Sequence, residues 1–363
     1  MIYIQMEINE MKNTEKIRAR LAEAGLEAIV LFSDENTRYA SSFHFSDGAV
    51  VVTLEKSWLL TDSRYIEAAG MEAQCDEIIC FGGDKPLSFW LKKALEGLEK
   101  VGAEEDRLAY GQWQRWEQTL EKKLIPAQKI MDSLRSCKEQ WEVDNIVAAQ
   151  RIAESALDTV LGLIRPGMRE REIAAELTYR MMLLGGEGNS FDPITVTGAK
   201  SSMPHGVPGD EIVREGDFIT LDFGCLKNGY CSDMTRTVAV GHATEEMKKV
   251  YYTVYEAQMA GIALARPGVS GREIHMAAAK VIADAGFGEY FGHGFGHSLG
   301  LLVHESPSAN PNNTEPMPEG AVISAEPGIY LPGRFGVRIE DMLYLKGQGN
   351  INLTKAPKEL IIL

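Results

Sequence analysis

Two aspartates, two glutamates and a group of histidines in the second half of this 363-residue chain have types and spacings suited to chemistry. Asp222 and Asp233 lie in two β-rich runs, Phe218–Gly224 and Tyr230–Val240, joined through Leu226-Lys-Asn-Gly229. Asn-Gly is the strongest short-range hairpin signal, because both central residues of a type I′ turn need positive φ. With Asn228-Gly229 as a two-residue loop, Lys227 faces Tyr230, Asp222 faces Thr235 and Asp233 faces Gly224. The aspartates then share one face as diagonal neighbours, with Cα atoms about 7–8 Å apart. Thr220, Thr235 and Thr237 lie on that face, while Ile219, Leu221, Phe223, Met234 and Val238 point the other way. Two anions on one face repel unless a cation sits between them. The hairpin alone leaves two accounts open: a cation site, or the solvated polar side of an edge hairpin.

Histidine is scarce, with seven in the chain, yet His293, His297 and His304 fall within Gly292–Glu305, interleaved with glycines. Glycine lets the backbone approach a ligand closely. Imidazole is a frequent ligand of divalent metals and the usual proton carrier near neutral pH. A single histidine here would read as a satisfied structural residue; three together point to function. Glu326 and Glu340 lie in apolar strand-like runs, Ala321–Tyr330 and Gly336–Tyr344, where a carboxylate is costly to bury without a partner. Arg338, two residues before Glu340, shares its strand face and offers a structural ion pair instead. That alternative leaves Glu326 without an account.

A chain of this length calls for two domains to position such residues. The first third reads as mixed α/β. Strand-like apolar runs occupy Ala28–Phe32, Ala49–Leu54 and Ser57–Leu60, and helical patterns occupy Thr14–Ala24 and Ser63–Glu72. Asp132–Lys138 is polar without strong periodicity, and a long helical pattern begins near Glu139. The boundary is placed near Met131, giving domains 1–131 and 132–363. The second contains a repeat: Leu163–Ile173 and Leu264–Ile274 share seven of eleven positions at an offset of 101. In both copies a helix ends at Pro-Gly and another follows. Coincidence of a common helix–turn–helix pattern is one explanation; two similar α/β halves, with a cleft at their junction, is the other.

The net charge of −15 argues against a nucleic-acid or anionic-membrane binder. Hydrophobic content of 45% suffices for a sizeable core. Five cysteines with no CxxC pair fit reduced thiols rather than a disulfide framework. The first 18 residues show no basic region leading into an apolar run, and no stretch approaches the roughly 18 apolar residues that span a bilayer. A soluble, cytoplasmic protein is expected.

Together the pattern resembles the creatinase/aminopeptidase P/prolidase family of pita-bread metallopeptidases. The resemblance rests on Ser201–Gly206, Thr220–Gly224, Cys231–Thr237, His293–Glu305, Ala325–Tyr330 and Val337–Asp341, with Asn36–Phe43 and Leu60–Tyr65 resembling the family's N-terminal domain. It implies a smaller creatinase-like α/β domain followed by a pita-bread α+β catalytic domain with an internal pseudo-two-fold repeat. It also implies that Asp222, Asp233, His297, Glu326 and Glu340 bind two divalent metals, with Asp233 and Glu340 bridging. An oxygen-rich donor set favours manganese over a thiolate-loving metal, with cobalt and zinc as the alternatives.

The activity implied is hydrolysis of an Xaa–Pro bond at the N-terminus of a peptide with proline second, by an activated water. His304 would stabilise the oxyanion, and Glu326 would move the water's proton to the leaving nitrogen. His205 and His293 resemble the family's substrate-contacting histidines. A proline pocket would involve His293, Val303, Tyr330 and Arg338, with Arg338 and Thr235 orienting Glu340 and Asp222. Family resemblance suggests a homodimer. Four other functions share parts of this pattern. A methionine aminopeptidase needs no large N-terminal domain, and a creatinase-like amidinohydrolase has no use for retained metal ligands. A non-catalytic peptide-binding module has none either. A small-molecule hydrolase or lyase can use the same scaffold. Between aminopeptidase and dipeptidase (prolidase), which the sequence leaves open, Ser308 favours the aminopeptidase. Some short prolidases are expected to carry an arginine four residues after the catalytic histidine, and here that position is serine, which leaves Arg334 or a residue of the N-terminal domain as the substitute anchor a dipeptidase would need.

Overall fold

The computed structural model describes residues 12–363, so most of the N-terminal stretch read for a targeting sequence lies outside it. The chain divides into two compact units between Arg135 and Ser136.

The first unit is built on a six-stranded sheet. Its strands are β1 (Ala28–Leu31), β2 (Gly48–Thr53), β3 (Ser57–Thr61), β4 (Glu77–Cys80), β5 (Val101–Ala103) and β6 (Leu124–Pro126), in the order β4-β3-β2-β1-β5-β6. Strands β1, β2 and β3 pair antiparallel and the remaining pairs are parallel. The apolar runs read from the sequence become β1–β3; β1 is buried at every residue, which is why it shows no alternation. The helices are α1 (Asn13–Ala24), α2 (Asp34–Ser41), α3 (Ile66–Glu72), α4 (Leu87–Ala94), α5 (Tyr110–Leu120) and α6 (Gln128–Ser136). The last corrects the expectation for Asp132–Lys138: most of that stretch is helical. Its buried face is Gln128, Met131 and Arg135, so only one apolar residue marks the period.

The second unit opens with α7 (Gln140–Leu161) and α8 (Glu170–Leu183), then β7 (Gly188–Asn189), β8 (Ile194–Thr197), β9 (Phe218–Phe223), β10 (Cys225–Lys227), β11 (Tyr230–Cys231) and β12 (Met234–Ala239). Next come α9 (Glu245–Leu264) and α10 (Gly271–Asp284), then β13 (Gly296–Ser298), β14 (Glu305–Ala309), β15 (Val322–Ala325), β16 (Gly328–Leu331), β17 (Phe335–Arg338), β18 (Asp341–Lys346) and β19 (Gly349–Asn352). Each copy of the repeat holds the turn between two helices and the start of the second: the first follows α7, which ends at Leu161, and leads into α8, while the second runs from Leu264, the last residue of α9, into α10. Each helix pair covers its own sheet. Leu157, Ile173 and Leu177 pack with Ile219, Leu221, Phe223, Met234 and Val238, the apolar face read from the hairpin. Val250, Val254, Ile274 and Ala278 pack with Ile323, Val337 and Leu343.

Asn228 and Gly229 have φ of 49° and 77°, as a type I′ turn requires. Lys227 pairs with Tyr230 and Asp222 with Thr235, in the expected register. Two features differ. The ladder stops between Phe223 and Met234, so Asp233 and Gly224 are not a ladder pair. The polar face is not the solvated side of an edge hairpin, since β9 lies between β8 and β12 and Thr220, Asp222, Asp233, Thr235 and Thr237 are all buried.

Candidate metal centre

Three of the four acid-bearing segments reach the site at a break in a strand. Asp233 sits just before β12, Glu326 between β15 and β16, and Glu340 between β17 and β18, while Asp222 is inside β9 and His297 inside β13. The nearest ligand-type atoms of Asp233, His297 and Glu340 lie within 4.8 Å of one another. His297 Nε2 is 3.2 Å from Glu326 Oε1 and 3.7 Å from Asp233 Oδ2. Its Nδ1 is 3.2 Å from the Ser298 carbonyl, which can only accept, so the lone pair of the neutral ring faces the carboxylates through Nε2.

A polar network frames the acids. Arg338 Nη2 donates to Asp222 Oδ2 at 2.5 Å, Nη1 donates to the Tyr330 hydroxyl at 2.8 Å, and Nε donates to Thr235 Oγ1 at 3.0 Å. Thr235 Oγ1 in turn donates to Glu340 Oε2 at 2.7 Å. The ion pair of Arg338 is therefore with Asp222, and Arg338 reaches Glu340 only through a threonine. His293 Nδ1 donates to the Gly294 carbonyl at 2.8 Å, which leaves Nε2 to accept from Tyr330 at 2.9 Å. Ser324, absent from the sequence reading, donates to Glu326 Oε1 at 3.0 Å and accepts from the His297 backbone N–H at 3.0 Å. Its only sequence signal is its place two residues before Glu326, on the same strand face.

A cavity of about 570 Å³ is lined by Asp222, Asp233, His297, Glu326 and Glu340, and by His205, His293, Val303, His304, Tyr330 and Arg338. All eleven residues expected to bind metal, act in catalysis or contact substrate border it, while Thr235 does not. Phe191, Asp192, Pro193, Pro204, Val207, Pro208, Ser308 and Asn310 also line it. Of these only Ser308 was marked by its spacing.

The donor set fits divalent cations. Burial, and next the charge of Asp222, hold the Asp233 carboxyl far above the usual carboxylate range. Burial, and next the charge of Asp233, do the same to Glu340. Burial raises Asp222 too, against the pull of Arg338. Asp222 Oδ1 and Glu340 Oε1 are buried acceptors with no hydrogen-bond partner, and a carboxylate oxygen in that position needs a cation or a proton. Burial opposes charge on His297, but the hydrogen bond its ring donates to Glu326 and the charges of the nearby acids outweigh it and raise the ring to about 9. The same contact overcomes burial at Glu326 and lowers it to about 2.

Comparison with known proteins agrees with this chemistry. Residues 144–346 match the model of metallopeptidase family M24, and residues 14–137 match the creatinase/prolidase N-terminal domain. The chain belongs to metallopeptidase family M24. This M24 chain is 37% identical over 350 residues to the uncharacterized peptidase YqhT of Bacillus subtilis, covering 96% of this chain and 99% of that protein. The solved Xaa-Pro dipeptidase from Bacillus anthracis superposes with a TM-score of 0.93 at 37% identity, covering 97% of this chain and 99% of that one. The X-Pro aminopeptidase from Thermotoga maritima gives 0.89 at 35% identity, over 95% and 100% of the two chains. The M24 chain is thus a hydrolase of the pita-bread class with a creatinase-type N-terminal domain.

A pH effect follows from the charges in the site. Asp233 and Glu340 have raised folded-state pKa values. Their stabilising contribution is complete below the unfolded carboxylate range and is lost as pH rises. His297 contributes fully below its ordinary 6.5 and loses that contribution as pH rises through about 9. Glu326 runs the other way, but its contribution is complete above its ordinary 4.5. His293 and His304, lowered chiefly by burial, add stability only up to their ordinary 6.5, so M24 protein stripped of divalent ions by a chelator is expected to melt at falling temperature between about pH 6.5 and pH 9. Saturating Mn²⁺ should flatten that dependence. A melting temperature of the stripped protein that climbs over this interval would contradict the electrostatics.

Proposed function

We propose that the chain is an Xaa-Pro aminopeptidase, cleaving before proline at the N-terminus of peptides longer than a dipeptide. In this proposal Asp222, Asp233, His297, Glu326 and Glu340 would hold two divalent ions, with Asp233 and Glu340 serving both. The excess of carboxylates supports manganese, with cobalt and zinc as alternatives. Divalent ions bound there supply Lewis acidity toward the scissile carbonyl and an activated water.

The side chains do the rest. Both contacts of Glu326 use Oε1, which leaves Oε2 to take the water's proton and pass it to the departing proline nitrogen. His304 faces the cavity, and desolvation there, with the charge of His297 second, lowers its pKa. A neutral ring donates one N–H to the oxyanion. His205 and His293 contact the substrate. Proline's ring, with fixed φ and no N–H, meets Val303, His293 and Tyr330, with Arg338 fixing Tyr330. Assembly as a homodimer is supported by family resemblance, and a cytoplasmic setting by five free cysteines.

The observation that carries the preference for longer peptides is Ser308. It lines the cavity and pairs in register with His297. A dipeptidase must hold the free carboxylate one residue beyond the cleaved bond, best with an arginine fork. Among the described cavity-lining residues Arg338 is the sole Lys or Arg, and it is committed to Asp222, Thr235 and Tyr330. Arg334, the other candidate anchor in this unit, is paired with Glu246. The name of the Bacillus anthracis structure supports the alternative, Xaa-Pro dipeptidase.

The two are separated by comparing kcat/KM for an Xaa-Pro dipeptide and the matching Xaa-Pro-Yaa tripeptide. A missing charge-assisted contact of about 1.5–3 kcal/mol is expected to disfavour the dipeptide by roughly tenfold to a hundredfold. Ser308→Arg should raise dipeptide turnover. A clear dipeptide preference in the native chain would establish a prolidase.

A further inference from the structure

Gln258 is fully buried on α9, within a stripe that otherwise includes Val250, Val254, Ala257 and Gly261. Its Nε2 donates two hydrogen bonds, to the carbonyl oxygens of Ala325 at 2.9 Å and Ile339 at 3.2 Å. These residues directly precede Glu326 and Glu340. Two carbonyl acceptors fix the amide's orientation, since only the NH₂ end can serve them. Its Oε1 has no hydrogen-bond partner, so the polar group is sited for its donor end alone.

The strand register explains what that donor does. Ala325 pairs with Asp341 and Gly328 with Arg338, so Glu326 stands opposite Glu340 and Pro327 opposite Ile339. The backbone N–H of Glu326 goes to the Phe295 carbonyl at 2.8 Å, and that of Glu340 goes to the Thr235 carbonyl at 3.1 Å. Both therefore point away from each other. In an antiparallel ladder such a pair is followed by one whose N–H and C=O groups face inward, and here that pair is Pro327 and Ile339. Proline has no N–H. The Ile339 carbonyl thus loses its ladder donor where the β15–β18 ladder gives way to β16–β17. Gln258 replaces the missing donor and ties it to the Ala325 carbonyl on the opposite strand.

We infer that Gln258 is a positioning residue: by bridging the two strands where the ladder lapses, it sets the separation of Glu326 and Glu340 required to share divalent ions. The inference rests on the proposal that these glutamates are ligands. Glutamate spacing should govern ion affinity, and partners of this kind contribute about 10–100-fold to it.

The test is Mn²⁺ affinity, measured by competition with a fluorescent chelator on the full chain. Gln258→Met keeps length and volume but removes the donor, and is expected to weaken Mn²⁺ binding about 10–100-fold. Adding Pro327→Ala gives position 327 an N–H that can serve Ile339, so Q258M/P327A should recover most of that loss. A purely structural glutamine would lower the melting temperature of Q258M while leaving Mn²⁺ affinity within about twofold, and that result overturns the inference. A double variant no better than Q258M also overturns it. Should Q258M fail to fold, the inference stands only if Q258M/P327A folds and binds Mn²⁺. A native chain that binds no Mn²⁺, Co²⁺ or Zn²⁺ overturns the metal assignment itself; native binding with unchanged Q258M binding overturns this inference alone.

Discussion

Alanine at Asp233 or at Glu340 is expected to remove both divalent ions and peptidase activity together. Both side chains are buried, and with His297 they form the tightest group of ligand-type atoms among the described residues. A carboxylate lying between two ions serves both, so its loss should empty the pair rather than one site. Loss of the several kcal/mol that such ions contribute to the transition state corresponds to at least about a 10³-fold fall in kcat/KM. Elemental analysis of the purified variants, alongside peptide hydrolysis, reads both quantities. Stability separates this outcome from simple unfolding. Burial and the charge of Asp222 penalise the Asp233 carboxylate, and burial and the charge of Asp233 penalise that of Glu340. Stripped of ions at neutral pH, each variant should therefore melt no lower than the stripped native protein. Two ions per chain and near-normal turnover in either variant would end the assignment.

How much of this site could be read beforehand depends on which residues announce themselves locally. Asn228-Gly229 dictates its own turn, and strand parity then carries Asp222 to Thr235 without further information. Glu326 and Glu340 stand out because acids are costly inside apolar strands. What stayed hidden was relational. Nothing local in Arg338 says that it pairs with Asp222, 116 positions away, rather than with Glu340 beside it. The burial of the hairpin's polar face depends on Arg338 and Glu340, about a hundred positions on, which meet Asp222, Thr235 and Thr237, and nothing within the hairpin announces them. In the first unit, α6 escaped because Gln128 and Arg135 occupy its buried face alongside Met131, so hydrophobic periodicity has almost nothing to register. Ser324 and Gln258 each make two hydrogen bonds to backbone or carboxylate beside the site, and such contacts leave little trace in spacing.

His304→Ala should leave ion content intact and slow catalysis by about 10²–10⁴-fold, the range for an oxyanion donor or proton carrier. The ring lies 4.4 Å from that of His297, centroid to centroid, on the wall of the cavity. Other histidines nearby are tethered: His293 to Tyr330 and Gly294, His297 to Ser298 and the acids. His304 is exposed to the cavity, and desolvation there and the charge of His297 lower its pKa. A neutral imidazole near pH 7 presents one N–H donor and costs little to bring against a developing negative charge. A histidine kept for structure behaves oppositely, since its removal lowers thermal stability and leaves turnover alone. The two roles therefore move different measurements. Reduced kcat with two ions per chain and an unchanged melting temperature supports the catalytic role. Unchanged kcat with a lowered melting temperature assigns His304 to the fold, and the oxyanion would then need another donor among the cavity residues, of which His205 is the nearest in chemistry.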